Sequence, residues 1–511
     1  MRRRSFVVVM LGICAAPLLA IACGASDDTN ANVPPQSCTG KIGIAESACP
    51  DASRDSSSSS DATSLSDRSI TDAPSDATKD AGFFLPPPPP PACTGAVSID
   101  TAFGNSGFII NTTAGQDFGG IGVQTDGKYI VTTFDGTDPS PLARRNTNGS
   151  IDTTFGTNGF APSGIGSGQV LIDPRGRIVL TGANATQSFL MGYTLSGAVD
   201  TTFGVNGIGV TPYLSPIGIL SAMDMTAQRP NGKIVGASTV YVNAGPHPPT
   251  RTDIGLVQLD QNGVADSTFG NHGLALAGFP NDASDTAIAI QPDGKILVGG
   301  FELNPIDDAG NGHQDFVVVR FNEDGSLDNT FGSGGKILVP LGSRFVAYTP
   351  GGFALQSTGN VVIAVTSVDG NPDGEVFQLL RIKPNGDIDT AFGTSGFASA
   401  TFLGGNDNAQ SVAVYADDSL IAGGSIGTLD DAGFATTLGF ARFSPNGTVD
   451  TTFGTNGVLL VNPPGITEGT NLSVQILQTN GQVLGSAVGY NPDPVESDLD
   501  DYGILFRLTC P

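Results

Sequence analysis

The chain has 511 residues and a net charge of −26, because 49 Asp and Glu face only 23 Lys and Arg. Phosphate groups are bound through Lys and Arg, so this balance excludes nucleic acid as a partner and argues against an anionic lipid surface. Cations and cationic partners remain open, beside the simpler interpretation that the charge keeps the protein soluble. Gly is abundant at 70 residues and Trp is absent, which indicates a β protein with many turns.

The first residues have the pattern of an export signal. Arg2, Arg3 and Arg4 precede a mostly apolar run, residues 6–22, which is followed by Cys23. This pattern resembles a bacterial lipoprotein signal peptide over residues 1–22, and the resemblance implies that Cys23 is acylated. We therefore expect an exported protein, held at the outer membrane or cell surface through its lipid alone. A soluble secreted protein and an uncleaved anchor are the alternatives.

Residues 23–92 predict a disordered tether. The stretch 51–80 is almost entirely Ser, Asp, Ala and Thr, with little to bury, and the six prolines 86–91 form a stiff spacer. Four cysteines remain beyond the signal and its lipidation site, namely Cys38, Cys49, Cys93 and Cys510. Their even number in an exported chain indicates disulfides, for which three pairings are possible. We expect Cys38 and Cys49 to close a small loop within the tether.

From residue 93 to residue 511 a repeat dominates the sequence. The phrase Asp, any two residues, Phe-Gly, any two residues, Gly occurs seven times, starting at Asp100, Asp152, Asp200, Asp266, Asp328, Asp389 and Asp450. The spacing of its phenylalanines ranges from 48 to 66 residues, which is enough for three or four strands per unit.

One unit shows the predicted strands clearly. Residues 286–291 and 295–299 flank the turn Pro292-Asp293-Gly294 as strands a and b, residues 316–321 form strand c, and residues 336–340 form strand d after the phrase. Several of these strands are apolar on consecutive residues, so both faces must be covered. Four-stranded sheets that are covered by like sheets are propeller blades, and seven can close a ring. The fold class is therefore an all-β, seven-bladed propeller of four-stranded antiparallel blades.

The residues of the phrase have structural roles in this fold. The Asp can close an Asx turn, the Phe should be buried where blades meet, and the glycines permit backbone conformations that other residues resist. Seven copies of the Asp at equivalent turns indicate scaffold rather than catalysis. Arginines at one repeated place in strand c are interpreted as ion-pair or packing partners within each blade: Arg144, Arg320, Arg381, Arg442 and Arg507.

The two ends of the repeat region predict how the ring closes. The first phrase, at Asp100, has no strands a to c before it, and the last unit has no phrase after strand c. Residues 108–113 should therefore complete the C-terminal sheet as its strand d. This arrangement brings Cys93 close to Cys510, and we predict a disulfide between them that stabilises the fold by roughly 4 to 5 kcal/mol.

The phrase, with Asn-Gly before several of its copies, as at 148–149 and 446–447, resembles the delta-60 repeat of bacterial exported and surface proteins. The resemblance covers about residues 93–510. It implies a β-propeller-like array and implies no reaction, cofactor or catalytic residue.

The connections between strands b and c, and between d and a, vary in length and lie on the opposite face from the repeated turns, so they are the candidate binding surface. They are also acidic. Within one of them, Asp369, Asn371, Asp373 and Glu375 have the alternating oxygen ligands that open a calcium loop, although ordinary surface loops share this composition. Calcium is the one cofactor candidate.

The sequence favours a non-enzymatic binding module, presumed monomeric, whose partner is an unidentified protein or glycan at the cell surface. His247, His272 and His313 are not spaced as a metal pair, and no nucleophile motif is visible. The alternatives are an exported polysaccharide hydrolase or lyase that uses a carboxylate pair, and a purely structural surface protein.

Overall fold

The computed structural model describes residues 89–91, 93, 95–111, 117–134, 141–162, 168–183, 188–210, 214–215, 218–242, 251–303, 314–339, 352–367, 376–402, 406–430, 433–467, 469–478, 480–492 and 499–510. These residues belong to one compact unit, Ala81–Pro511. The predicted signal peptide and nearly all of the predicted tether lie outside the described residues, as do Cys23, Cys38 and Cys49. None of the described segments forms a helix that could cross a membrane.

The strands form seven antiparallel sheets, which are the blades of a propeller. The first strand in the chain, β1 (Phe108–Ile110), belongs to the last sheet. The next three sheets are consecutive along the chain: blade 1 with β2 (Asp117–Val123), β3 (Tyr129–Phe134), β4 (Leu142–Arg145) and β5 (Phe160–Ala161); blade 2 with β6 (Val170–Ile172), β7 (Ile178–Ala183), β8 (Ser188–Tyr193) and β9 (Ile208–Val210); and blade 3 with β10 (Leu214–Ser215), β11 (Gly218–Gln228), β12 (Ile234–Val242), β13 (Arg251–Leu259) and β14 (Leu274–Ala277).

The remaining sheets follow the same order of strands a, b, c and d. They are blade 4 with β15 (Asp282–Ile290), β16 (Ile296–Leu303), β17 (Gln314–Phe321) and β18 (Lys336–Val339); blade 5 with β19 (Phe353–Leu355), β20 (Val361–Ser367), β21 (Val376–Ile382) and β22 (Phe397–Ala400); blade 6 with β23 (Asn406–Val414), β24 (Leu420–Asp430), β25 (Gly433–Phe443) and β26 (Val458–Val461); and the closing blade with β27 (Gly469–Leu477), β28 (Val483–Pro492) and β29 (Leu499–Leu508), which β1 completes.

The structure confirms the predicted fold class and departs from it in one sheet. Blade 3 has a fifth, two-residue strand, because the chain folds back before strand a and pairs Leu214 with Ile219. Several strands are longer than predicted. In blade 4, strand a begins at Asp282, four residues before the apolar run that predicted it. These first four residues are mostly polar, so hydropathy does not mark them as part of the strand.

The core lies between blades rather than within one sheet. Phe103 of the closing blade packs with Phe118, Tyr129 and Val131 of blade 1 and with Leu484 of its own sheet. The phenylalanine of every phrase is fully or almost fully buried, as predicted: Phe103, Phe155, Phe203, Phe269, Phe331, Phe392 and Phe453. Each interface therefore depends on a side chain supplied by the turn between strands c and d.

The two ends of the described chain close the ring. Phe108 of β1 pairs with Phe506 of β29, and Ile99 bridges to Leu508. Cys93 and Cys510 are bonded, with Cα atoms 5.2 Å apart and a sequence separation of 417. The segment 89–91 lies beside blade 6, where the carbonyl of Pro90 accepts a hydrogen bond from the N–H of Ala416 at 2.8 Å.

Candidate functional site

Each blade has two ends with different connections. We call the end with the a–b and c–d turns the turn edge, and the end with the b–c and d–a connections the loop edge. All seven phrases lie at the turn edge. Pro90 also lies there, since its partner Ala416 belongs to the a–b turn of blade 6. The chain therefore enters the ring at the turn edge.

The aspartate of the phrase is fully occupied by hydrogen bonds. In blade 1, Asp152 accepts from Arg144 Nε at 2.7 Å, from Lys128 Nζ at 2.8 Å, and from the backbone N–H of Thr154 at 3.1 Å. The last of these bonds forms the predicted Asx turn. The Lys128 ammonium and the Thr154 hydroxyl hold the pKa of Asp152 well below its usual range. This carboxylate is a structural ion, permanently charged and largely shielded from solvent.

The arginine partner of this aspartate also joins neighbouring blades. Arg320 binds Asp328 through Nε at 2.8 Å, lies 4.4 Å above the Phe331 ring, and donates from Nη1 to the carbonyl of Pro384 in blade 5 at 2.5 Å. We call this Asp, Phe and Arg arrangement the latch. The predicted ion pairs within blades are thus present, and each one additionally bonds to the next blade.

Every blade has a cation that reaches the next c–d turn. Where strand c has no arginine at the repeated place, the guanidinium comes from the a–b hairpin, as with Arg177 in blade 2 and Arg229 in blade 3. The acceptor carbonyls belong, in ring order from the closing blade, to Thr147, Leu195, Gln261, Glu323, Pro384, Pro445 and Cys93. The seventh acceptor is the disulfide-bonded cysteine, so the ring closes through the same contact that joins the other blades.

The loop edge has a different charge balance. The carboxylates described with their side chains at the loop-edge ends of strands are Asp117, Asp253, Asp282, Asp285, Glu302, Asp315, Asp407 and Asp501. Among described residues whose backbone lies at these strand ends, Arg251 is the one basic residue, and it binds Asp253 at 2.9 Å. Lys336 begins at the opposite end of its strand, but its ammonium reaches the d–a connection of blades 3 and 4, where it donates to the carbonyl of Gly278 at 2.6 Å and lies 5.1 Å from the centre of the Phe279 ring.

Several of these loop-edge carboxylates hold the connections in place. Glu302 accepts from the N–H of Asn281 at 2.8 Å, Asp253 accepts from the N–H of Phe279 at 2.9 Å, and Asp285 accepts from the Thr239 hydroxyl at 3.0 Å. These donors carry no net charge, and of the three carboxylates Asp253 alone also pairs with a described cation, Arg251. The negative charge at this edge is therefore not neutralised as it is at the turn edge.

The most distinctive group at the loop edge spans the junction of the closing blade and blade 1. Tyr490 and Asp501 are opposite each other on β28 and β29, and Asp117 begins β2, which packs against both strands. Tyr490 also shares a hydrogen bond with the side chain of Asn471. We call Asp117, Asp501, Tyr490 and Asn471 the seam cluster.

The seam cluster contains a carboxyl group that titrates near neutral pH. Burial, and secondarily the charge of Asp501, raise the pKa of Asp117 to about 6. Burial and the charges of Asp501 and Asp117 also raise the pKa of Tyr490. Oδ1 of Asp117 is shielded from solvent and has no hydrogen-bond partner in the described part of the chain. Such a carboxyl can exchange a proton, accept a hydroxyl donor or bind a cation.

A hydrogen-bonded chain extends the seam cluster toward blade 6. Oδ1 of Asn471 accepts from the Ser425 hydroxyl at 2.9 Å and from the side-chain amide of Gln410. Ser425 also bonds Oε1 of Gln410 at 2.8 Å. The polar surface thus runs from strand a of blade 6, across the closing blade, to strand a of blade 1.

The structure places only some of the predicted site residues. Cys93 and Cys510 come together as a disulfide. Asp369, Asn371, Asp373 and Glu375 lie in sequence between β20 and β21, hence in a connection of the loop edge, but outside the described residues. No group of three or more potential metal-ligating side chains occurs within the described ranges, a result that does not test this calcium hypothesis.

The sequence prediction missed most of the seam cluster. Asp501 belongs to the acidic stretch 493–501, whereas no acidic stretch contains Asp117, Tyr490 or Asn471. A usable signal existed for Asp117, because it directly precedes an apolar strand and so had to lie at a loop-edge strand end. Its closeness to Asp501 required knowing which sheets adjoin across the closed ring.

Comparison with known proteins supports the fold. A family model described as a domain of unknown function (DUF5122) beta-propeller matches residues 291–331. No curated protein matches the chain.

Similar solved structures cover most of the chain at low identity. A protein of unknown function from Dyadobacter fermentans is 12% identical, covers 81% of this chain and 100% of its own, and has a TM-score of 0.38. A polysaccharide lyase of family PL25, an ulvan lyase, is 13% identical, with 77% and 94% covered and a TM-score of 0.44. A luciferin-regenerating enzyme is 13% identical, with 71% and 98% covered and a TM-score of 0.34. These likenesses carry no information on activity. The chain is a seven-bladed β-propeller that is similar, over part of blade 4, to a β-propeller family of unknown function.

Proposed function

We propose that this protein is an exported, lipid-anchored binding module whose loop edge recognises cationic groups on a protein or glycan partner without catalysis. The observation that carries this proposal is the contrast between the two edges. Cations neutralise the phrase aspartates at the turn edge, whereas the described loop-edge carboxylates are mostly held by uncharged donors. A surface of one sign attracts partners of the opposite sign and speeds their association.

The direction of chain entry is consistent with this use of the loop edge. Because the N-terminal segment joins the ring at the turn edge, the loop edge lies at the other end of the blades. A lipid on Cys23 and a long tether would then leave the loop edge free to contact partners. Acylation of Cys23 and the position of the protein in the cell envelope are part of the proposal.

A pair of neutralised variants tests the proposed surface. The loop-edge variant carries Asp117→Asn, Asp282→Asn and Asp501→Asn, and the control carries Asp126→Asn, Asp260→Asn and Asp417→Asn at the turn edge. In the loop-edge variant, binding to an array of glycans and cationic peptides should weaken and should depend less on salt concentration. The control should bind as strongly as the wild type, with the same salt dependence. Equal binding by both variants would contradict the proposal.

A second candidate function is favoured by the seam cluster. A carboxyl group with a pKa of about 6, beside a second carboxylate and a phenol, suits general acid–base chemistry on a polysaccharide. An exported hydrolase or lyase would then use Asp117 and Tyr490. Turnover of any polysaccharide that is lost in Asp117→Asn, with the melting temperature retained, would establish this alternative over the first; turnover that survives in Asp117→Asn would exclude Asp117 as its acid or base.

A further inference from the structure

Arg145 differs from the other arginines of the described chain. Arg144, Arg175, Arg177, Arg229, Arg251, Arg320, Arg381, Arg442 and Arg507 each lie within 4.0 Å of a carboxylate oxygen. Arg145 forms no ion pair among the described residues. Within the described part of the chain, its guanidinium donates from Nη1 to the carbonyl of Gly149 at 2.9 Å. In so acidic a chain, an arginine without a carboxylate partner requires an explanation.

Arg145 occupies a position that is uncharged in all the other blades. It ends β4 directly opposite Tyr129 of β3. The corresponding cross-strand pairs are Ile178 with Tyr193, Ile234 with Leu259, Ile296 with Phe321, Val361 with Ile382, Leu420 with Phe443, and Val483 with Leu508. Blade 1 thus replaces a mainly apolar pair with a phenol and a guanidinium.

Both polar groups of this pair are shielded and incompletely bonded. Tyr129 is 0% exposed, and its hydroxyl has no hydrogen-bond partner among the described residues. Arg145 is half-buried, its Nε has no partner either, and its guanidinium lies 5.5 Å from the centre of the Phe118 ring. A buried polar group without a partner costs about 1 to 3 kcal/mol, and an uncompensated buried charge costs more. The two orphaned donors therefore indicate a missing acceptor.

The surroundings favour negative charge in that acceptor. Arg145 and, from the closing blade, Arg507 both exert a positive field on Tyr129. Burial raises the pKa of Tyr129, so its hydroxyl stays protonated and can donate. A guanidinium remains charged in proteins and has no acceptor atom. An oriented O–H and N–H in a positive field can bind a small anion, whereas a water molecule would leave the charge uncompensated.

We propose that the interface between the closing blade and blade 1 binds one small inorganic anion, of halide size, through the hydroxyl of Tyr129 and Nε of Arg145. Because Tyr129 is fully buried in the apolar cluster that includes Phe103 and Leu484, the anion has to be a small one. The site is separate from the seam cluster and does not depend on the proposed binding function. It links the stability of ring closure to the anion in the medium.

Bromide provides the direct test, because it replaces chloride and scatters X-rays anomalously. Crystals of the full chain grown in sodium bromide should show an anomalous peak within hydrogen-bonding distance of Tyr129 Oη and Arg145 Nε. Density without an anomalous signal, or no density between these two atoms, would overturn the proposal.

Melting temperatures in solution give an independent readout. The wild-type chain should melt roughly 2 to 5 °C higher in chloride than in gluconate at equal ionic strength, because only the smaller anion binds the folded state. Arg145→Leu, which introduces the residue found at this place in blade 3 and the closing blade, should abolish that difference. The control, Tyr193→Phe, removes a buried hydroxyl from blade 2 and should leave the difference between chloride and gluconate unchanged. A chloride effect that survives in Arg145→Leu would refute the site.

Discussion

The phenylalanine, aspartate and arginine of the latch act as one unit at six of the seven junctions of blades, whereas in blade 3 the phrase aspartate, Asp266, pairs with Lys233 instead. Phe331 fills the interface, the Arg320 guanidinium covers its ring, and Asp328 fixes the guanidinium so that Nη1 meets the Pro384 carbonyl. The three side chains thus combine burial, a cation–π contact and a charge-assisted hydrogen bond. This cooperation explains why the phrase recurs with its letters nearly unchanged.

We predict that Arg320→Ala destabilises the protein by about 1.5 to 3 kcal/mol, because it removes the charge-assisted hydrogen bonds to Asp328 and to the Pro384 carbonyl, while Lys295 still pairs with Asp328 at 3.0 Å. Unfolding in urea, followed by circular dichroism, measures this change. The control is Lys383→Ala, since the Lys383 side chain is 44% exposed and lies 3.8 Å from Asp389. The control should change the free energy of unfolding by less than about 1 kcal/mol. Equal effects of the two substitutions would contradict the latch.

Two glycines of one phrase should respond oppositely to substitution. A Cβ on Gly332, at φ +54°, would lie 2.2 Å from the carbonyl oxygen of Lys336, whereas Gly334, at φ +62°, has open space. Asn158 and Asn206 already adopt φ 54° at the place of Gly334 in other blades. Gly332→Ala should therefore lower stability by at least about 1 to 3 kcal/mol, and Gly334→Asn should leave it unchanged or raise it by up to about 1 kcal/mol. Thermal unfolding of both variants checks the pair, and similar losses in both would show that steric contact does not decide the outcome.

At the scale of elements, strand a of blade 1 starts with a carboxyl group whose pKa is raised in the folded state. A raised pKa means that the folded state holds the proton more tightly than the unfolded state, so Asp117 contributes stability at low pH. That contribution should be lost as the pH rises from about 4 to about 6. Aspartates at the turn edge such as Asp152 have lowered pKa values in the folded state. They therefore stabilise the protein while ionised, and this contribution is lost as the pH falls through the acid range.

The difference between the wild type and Asp117→Asn isolates this contribution. The variant should gain stability relative to the wild type as the pH rises from 4 to 6, measured as the urea midpoint. Asp501→Asn should shift the Asp117 titration only partly toward its ordinary value, because burial is the larger cause of the raised pKa. A pH-independent difference between wild type and Asp117→Asn would show that Asp117 titrates normally.

The connection between β20 and β21 carries the calcium prediction. We expect Asp369, Asn371, Asp373 and Glu375 to bind calcium through oxygen ligands, and we expect binding to raise the melting temperature. Replacing Asp369 and Asp373 with Asn should abolish both effects in calorimetry and thermal unfolding. The control, Asp307→Asn with Asp308→Asn, alters another acidic connection and should preserve them. Absence of calcium binding in the wild-type chain would remove the hypothesis.

At the scale of the whole molecule, the disulfide cross-links a ring that is also closed by the pairing of β1 with β29. We predict that Cys510→Ser lowers the free energy of unfolding by about 2 to 5 kcal/mol, chiefly by freeing the ends of the unfolded chain. The pairing of Phe108 with Phe506 and the contact from Arg442 to the Cys93 carbonyl should preserve the folded ring. Thermal unfolding with and without reductant measures the loss. Reductant should not lower the melting temperature of Cys510→Ser any further. An unchanged melting temperature would mean that the cross-link adds nothing.

The sequence was informative where a pattern is repeated and local. Seven phrases, the apolar strands and the unpaired first and last units were sufficient to predict the blades, the burial of Phe331 and its equivalents, and the Cys93–Cys510 contact. The same regularity concealed the exceptions. Arg177 and Arg229 replace the missing strand c arginines from the a–b hairpin, and Asp117 acquires its neighbour Asp501 from the sheet across the closing interface. Such groups cannot be paired until the ring order is known.

The closed ring is the central claim, and a peptide map under non-reducing conditions tests it most directly. The claim predicts a single cross-linked peptide pair that joins Cys93 to Cys510 and is released by reductant. Recovery of both cysteines as free thiols, or of either one linked to Cys38 or Cys49, would contradict it.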